Sequence, residues 1–177
     1  MSEVVFFGYG ANYDINRIRS IIGHEPKGGE GAILKGYSLG IQSLNNIPEK
    51  EKSVLKKVWG ENFEAYTLVS GTGYINGRLW IISEEDLEKI KKWEFIYKDS
   101  WRELLNISIT TFDGKTITAV TEKSKDQYGF EKIADGLNYD FTLNKEGPKR
   151  RPTPEDEAKM ELMRQEISRY YTRLSFA

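Results

Sequence analysis

The chain of 177 residues contains no cysteine and a single histidine, His24. Without thiols there can be no disulfide framework, thiolate nucleophile or cysteine-ligated metal. One histidine excludes any site that needs two, and a Ser-His-Asp triad would have to use His24, which stands beside Gly23 in a polar stretch. No apolar run approaches the roughly 18 residues a membrane span requires, and there is no signal-peptide pattern. A cytoplasmic protein with no membrane partner is therefore expected. A strong charge of either sign is also missing: 26 Lys+Arg oppose 27 Asp+Glu, which removes the basic field expected of a nucleic-acid binder. No side chains have metal-ligand spacing, and the glycines of Gly23–Gly31 are not followed by the Lys-Ser/Thr of a phosphate-binding loop. Neither metal nor cofactor is expected.

What is present is a globular composition, 38% hydrophobic and 12% aromatic, enough for one domain with a real core. Val4–Phe7 is an apolar run bounded by Gly8-Tyr9-Gly10-Ala11-Asn12, the pattern of a buried strand entering a turn whose backbone N–H groups can meet a ligand. Asp14 is placed to cap a helix running to about Ile22. Gly23–Gly31 reads as a loop, Ala32–Ser43 as one or two strands, and the Lys/Glu-rich Asn45–Glu64 as a loop with some helix. Ala65–Tyr74 and Gly77–Ile82 read as two strands joined through Ile75-Asn76, because Asn76-Gly77 is a tight-turn signal. Leu104–Phe112 and Thr116–Thr121 form a hairpin around Asp113-Gly114. Phe130–Leu137 reads as a short helix and Lys145–Pro152 as a polar connector.

A terminal helix begins with Thr153 as cap and Pro154 at its first position. Its stripe of Met160, Met163, Ile167, Tyr170 or Tyr171, and Leu174 must pack on the body of the domain or on a partner chain, so a homodimer through this helix is the alternative. The expected organisation is a domain over residues 1–145 and an amphipathic helix over 153–175. Strands outnumber helices and alternate with them irregularly, which argues for an α+β fold with a curved or closed sheet.

The best-defined helix starts at Ser83, with Asp86 at the capping-box position and Glu84 and Glu85 in the first turn. Leu87, Ile90 and Trp93 define its inward face. Glu94 falls between Leu87 and Ile90 in projection, where the pattern asks for another apolar side chain. The carboxylate is either at the helix exit in water or buried and held there. Burial among groups such as Trp93 and Phe95 would raise its pKa toward neutrality, as general acid/base work requires. Trp59, Trp80, Trp93 and Trp101 read as core or pocket-lining groups rather than base-stacking platforms, and Asp14 and Asp86 as caps rather than metal ligands. Lys149-Arg150-Arg151 reads as a solvated connector.

A strand running into Tyr9-Gly10-Ala11-Asn12, then Gly77-Arg78-Leu79-Trp80-Ile81-Ile82, then a helix ending Trp93-Glu94, then Trp101-Arg102 with Ile107 and Ile109, resembles in order and spacing the γ-glutamyl cyclotransferase-like family. The likeness covers residues 4 to 121, with a weaker tail to about 140. It implies a small mixed β-barrel flanked by helices, here with an added C-terminal helix. It also implies a cofactor-independent release of 5-oxoproline from a small γ-glutamyl amine or peptide, by attack of the substrate's α-amine on its own γ-carbonyl. By the same resemblance Glu94 is the acid/base, Tyr9, Gly10, Ala11 and Asn12 bind the glutamyl end, Trp101 is a pocket wall, and Tyr128 matches a substrate-binding tyrosine. Ala11 stands where serine is usual, Trp101 where the best-known members carry tyrosine, and Glu122 where another tyrosine is expected. A non-catalytic module binding a small carboxylate on the same fold is the alternative.

Overall fold

The computed structural model describes residues 2–134 and 153–175. Its strands are β1 (Glu3–Gly8), β2 (Lys27–Ser43), β3 (Glu64–Ser83), β4 (Arg102–Thr111), β5 (Thr116–Ser124) and the short β6 (Lys132–Ile133); its α-helices are α1 (Ile15–Ile22), α2 (Glu49–Trp59), α3 (Glu84–Trp93) and α4 (Pro154–Ser175). The sheet runs β3-β1-β5-β4-β2-β6, and a further β3–β2 pairing closes the first five strands into a barrel. β1 pairs parallel to β5, while the other pairings are antiparallel, so the barrel is mixed.

Alternation along β1 divides the core. Phe7 points into a cluster of strand residues that includes Leu34, Leu68, Leu79, Ile107 and Ile109, the barrel interior. Phe6, one position earlier, joins Ile18, Leu55, Trp80, Ile90, Trp93 and Met163 between the barrel wall and the helices. α1 packs on α3, and α2 on α4. Met163, Ile167 and Tyr170 of α4 are buried in this second cluster, so the apolar stripe of the last helix is covered by the body of the chain.

Three local expectations are corrected. Asn76-Gly77 is not a turn: β3 runs unbroken for 20 residues, and Asn76 and Gly77 pair with Ile33 and Ala32 of β2. Glycine stands at 77 because β1 passes so close. A Cβ there would lie 2.5 Å from Cζ of Phe7 and 2.7 Å from the carbonyl oxygen of Gly8, so close approach rather than chain reversal explains it. The Gly23–Gly31 loop shortens, since strand β2 begins at Lys27 opposite Ile81 and its glycines are taken up in an irregularity between Gly28 and Glu30. That irregularity and a second between Lys35 and Tyr37 bend the long β2–β3 ribbon toward closure. The expected helix from Phe130 is replaced, as far as Ala134, by strand β6, which adds to β2 through Gly40 and Ile41. The remainder of that helix, the connector over 145–152 and the boundary at 145 lie outside the described residues.

The other expected signals appear in place. Asp14 accepts from the N–H of Asn16 at 2.7 Å and caps α1. Ser83 and Asp86 form the capping box of α3. The β4–β5 hairpin turns at Asp113-Gly114. No helix among the described residues is long and apolar enough to cross a membrane.

Candidate functional site

Two charges in the sequence stand at the wrong ends of their helices. Arg17 lies in the first turn of α1 and Glu94 is the C-cap of α3, so each opposes its own helix dipole. The fold brings them together. Nη2 of Arg17 donates to Oε1 of Glu94 at 3.1 Å, and Nδ2 of Asn12 donates to the same oxygen at 3.1 Å. Asn12 is fixed in turn, its Oδ1 accepting from Nε of Arg17 at 2.9 Å. The loop after β1 thus meets the end of α3 through side chains.

The backbone at Glu94 is held by an unusual cap. α3 ends in a Schellman arrangement, with the N–H of Phe95 donating to the carbonyl of Lys92 at 3.3 Å and that of Ile96 to Lys91 at 2.8 Å. The left-handed position in that motif is normally glycine, but here it is Phe95, with φ 58°. A bulky residue at such a φ costs about 1–2 kcal/mol, offset by burial of the ring, which is 1% exposed and meets Tyr170 edge-on at 5.0 Å. Strain of this kind persists where surroundings over-determine it.

The loop has its own anchors. Residues Gly10–Tyr13 form a 3-10 turn in which the N–H of Asn12 donates to Tyr9. The indole N–H of Trp80 donates to the carbonyl of Asn12 at 2.9 Å. Gly8 permits this approach, because a Cβ there would sit 2.2 Å from that same carbonyl oxygen. The hydroxyl of Tyr9 donates to the backbone carbonyl of Glu122 at 2.6 Å. Burial, reinforced by the charge of Glu122, holds this phenol well above its ordinary pKa, so Tyr9 is a neutral structural donor. The Asn12 amide is spent inside the turn; among the described residues the N–H groups of Gly10 and Ala11 have no such partner.

Beyond Glu94 lies a second ion pair. Arg102 and Glu122 sit diagonally on β4 and β5, where Arg102 opposes Ser124 and Leu104 opposes Glu122. Nε of Arg102 donates to Oε2 of Glu122 at 2.5 Å, Nη2 contacts the same oxygen, and Nη2 also donates to the carbonyl of Tyr66 at 3.1 Å. The guanidinium stacks 4.9 Å from the ring of Trp101 and lies 4.0 Å from Oε2 of Glu94. Both partners are nearly sealed from water, with side chains 3% and 5% exposed.

This arrangement corrects the expectation for Glu94. Burial does push its pKa up, but Arg17 and Arg102, with hydrogen bonds from Asn12 and Arg17, outweigh it and hold the carboxyl below its ordinary value. The raised group is Glu122. Burial dominates there; Arg102 offsets part of it, Glu94 adds to it, and the pKa is pushed up to about 7. Arg102 lies between the two carboxylates, so they titrate as a unit, one low and one near neutrality.

A cavity of about 240 Å³ opens onto these groups, lined by Tyr9, Ala11, Asn12, Arg17, Glu94, Arg102 and Glu122 together with aromatic and aliphatic side chains. Of the site residues expected from sequence, Tyr9, Ala11, Asn12, Glu94 and Trp101 converge on it. Gly10 lies in the adjoining turn against Tyr66. Tyr128 does not reach the cavity: it ends a 3-10 turn, and its carbonyl accepts from Asn46. The Trp101 ring is buried, and its indole N–H has no hydrogen-bond partner among the described residues. Sequence reasoning missed Arg17 and gave Arg102 no role, and it noted Glu122 only as a replaced tyrosine. The dipole mismatch at Arg17 was the available signal.

No protein-family model matches the chain, and no curated protein matches it in sequence. Solved structures do match. A γ-glutamyl cyclotransferase superposes with a TM-score of 0.61 at 18% identity, over 91% of this chain and 86% of that one. An uncharacterized protein from Homo sapiens superposes with a TM-score of 0.62 at 18% identity, over 92% and 87%. YkqA from Bacillus subtilis superposes with a TM-score of 0.56 at 17% identity, over 95% of this chain but 55% of that one. At such identities the likeness is one of architecture, and it agrees with the strand order and flanking helices found here. The chain has the γ-glutamyl cyclotransferase-like fold: a small, closed, mixed β-barrel with helices around it.

Proposed function

We propose that the cavity binds a small γ-glutamyl compound and closes it to 5-oxoproline. The observation that carries this reading is the 3.1 Å contact between the Asn12 side chain and the Glu94 carboxylate, which joins the loop to the acid at the wall of a cavity of substrate size. The α-amine nitrogen of the glutamyl group attacks its own γ-carbonyl carbon. A C–N bond forms within the ring, and the bond from that carbon to the leaving nitrogen breaks. Nucleophile and electrophile belong to one molecule, so the protein need only hold the reactive rotamer, which fits a chain without cysteine.

In this reading Glu94, ionised at neutral pH, accepts the α-ammonium proton and delivers it to the leaving nitrogen. Arg17 is positioned to take the substrate's α-carboxylate. Its transfer from Glu94 to the substrate removes one of the two donors on Oε1 and raises that carboxyl toward the value a shuttle needs. The backbone amide of Ala11, at the cavity wall, can receive the developing oxyanion, a role worth roughly 3–4 kcal/mol per donor in other enzymes. Formation of 5-oxoproline from γ-glutamyl amines and peptides, lost in Glu94→Gln, is the test; equal turnover by the variant would remove the assignment. Because Glu94 is tied down by two donors, a second reading is a binding module for small carboxylates. It predicts a rise in Tm with ligand and no consumption of the ligand.

A further inference from the structure

The charged groups account for one part of the cavity wall only. Much of the remainder is contributed by Leu55 and Trp59 of α2, Phe63 of the following turn, Trp93 at the end of α3, and Met163 of α4. Leu55, Trp93 and Met163 are buried, while Trp59 and Phe63 are half-exposed and pack against the same cluster. The cations at the cavity are Arg17 and Arg102, and both are already engaged by Glu94 and Glu122. The remaining charged group in the lining is Glu64, an exposed carboxylate beside Phe63 and Ala65.

We infer that the group attached to the γ-carbonyl is an apolar, preferably aromatic, amine without a carboxylate, seated against Trp59, Phe63 and Met163. This rests on the γ-glutamyl reading of the same site. Two physical arguments select it. An aromatic ring laid among these side chains leaves water at little polar cost, since apart from the indole N–H groups of Trp59 and Trp93 they carry no hydrogen-bond donor. A leaving group with its own carboxylate, as in an ordinary γ-glutamyl amino acid, would desolvate that charge with no free cation to receive it and with Glu64 repelling it. The wall is built from α2, the turn after it and the end of α3, and the terminal helix contributes Met163 to it.

The pair γ-glutamyl-phenethylamide and γ-glutamyl-phenylalanine differs only in that carboxylate. Both are titrated into the wild-type protein by calorimetry and assayed in parallel for 5-oxoproline. The amide is expected to bind, and if turned over to react, about tenfold or more better than the acid. Met163→Ala and Trp59→Ala should each weaken the phenethylamide several-fold more than γ-glutamyl-methylamide, which lacks the ring they pack against. Equal or better binding of the acid, or variants that weaken the phenethylamide and the methylamide alike, overturns the inference. So does failure of the amide to bind. If the amide is preferred but no 5-oxoproline forms, the cyclisation reading fails and the pocket assignment stands.

Discussion

Replacing Arg102 by methionine isolates the electrostatics of the site. The side chain is 3% exposed and its main partner Glu122 5% exposed, so solvent screening gives little relief. Removing one member of a buried ion pair typically costs about 3–5 kcal/mol, because the other charge is left uncompensated. For a chain of this length that corresponds to a fall in Tm of about 6–20 °C. The cost should depend on pH in a defined direction. Glu122 in the wild type already has its pKa pushed up to about 7; such a raised carboxyl binds its proton more tightly folded than unfolded, so its ionisation opposes folding. Without Arg102 the folded value rises further. Below neutrality Glu122 stays protonated in the variant, and the penalty is at its smallest. Above about pH 7 the variant loses stability relative to wild type by about 1.4 kcal/mol per pH unit, until its new folded pKa is reached. Urea unfolding of both proteins from pH 6 to 9 measures this, and Arg102→Met/Glu122→Met should recover much of the loss because both charges are removed together. A cost below about 1 kcal/mol and flat in pH would refute the described charge arrangement.

Other outcomes follow from the same geometry. In carboxyl ¹³C NMR, one site carboxyl should titrate near 7 and another below the ordinary glutamate value, with Glu122→Gln abolishing the upper transition; two ordinary carboxyl titrations would contradict the shared-arginine arrangement. Gly77→Ala should destabilise the protein by about 1–3 kcal/mol through overpacking against Phe7, whereas a glycine in an exposed turn would tolerate it. His24 is exposed and its Nε2 lies 3.0 Å from both oxygens of Asp86, which with the Glu25 carbonyl raises its pKa. Its stabilising contribution is full below about pH 6.5 and is lost as pH rises through the folded value. The stability difference between wild type and His24→Gln should therefore shrink from pH 6 to pH 9; a constant difference would sink the pairing.

Much of the frame could be read from local signals, because those signals act locally. The Asp14 and Ser83 caps, the Asp113-Gly114 hairpin and the apolar entry strand each arise from chemistry within a few residues, and each was legible. Gly77 misled because a glycine beside asparagine carries the same symbol whether the chain turns or a neighbouring strand passes close; only the register with β1 and β2 decides. The displaced carboxylate at Glu94 was visible as a break in helical periodicity, but the direction of its pKa shift was not. That direction depends on Arg17 and Arg102, 77 residues before it and eight after it in the chain. The exchange of roles, with Glu122 the raised group, is a consequence of which carboxylate meets two guanidiniums, and spacing in a sequence does not encode it.

The central claim is that Glu94 moves the proton in a ring closure within this cavity. The direct measurement is 5-oxoproline release from a panel of γ-glutamyl amines and peptides by wild type and by Glu94→Gln, with unfolding curves confirming that both are folded. Wild type should release 5-oxoproline measurably, and the variant should lose about 10²–10⁴-fold of that activity. Release that is undiminished in Glu94→Gln, or absent for every γ-glutamyl compound with folded wild-type protein, would contradict it.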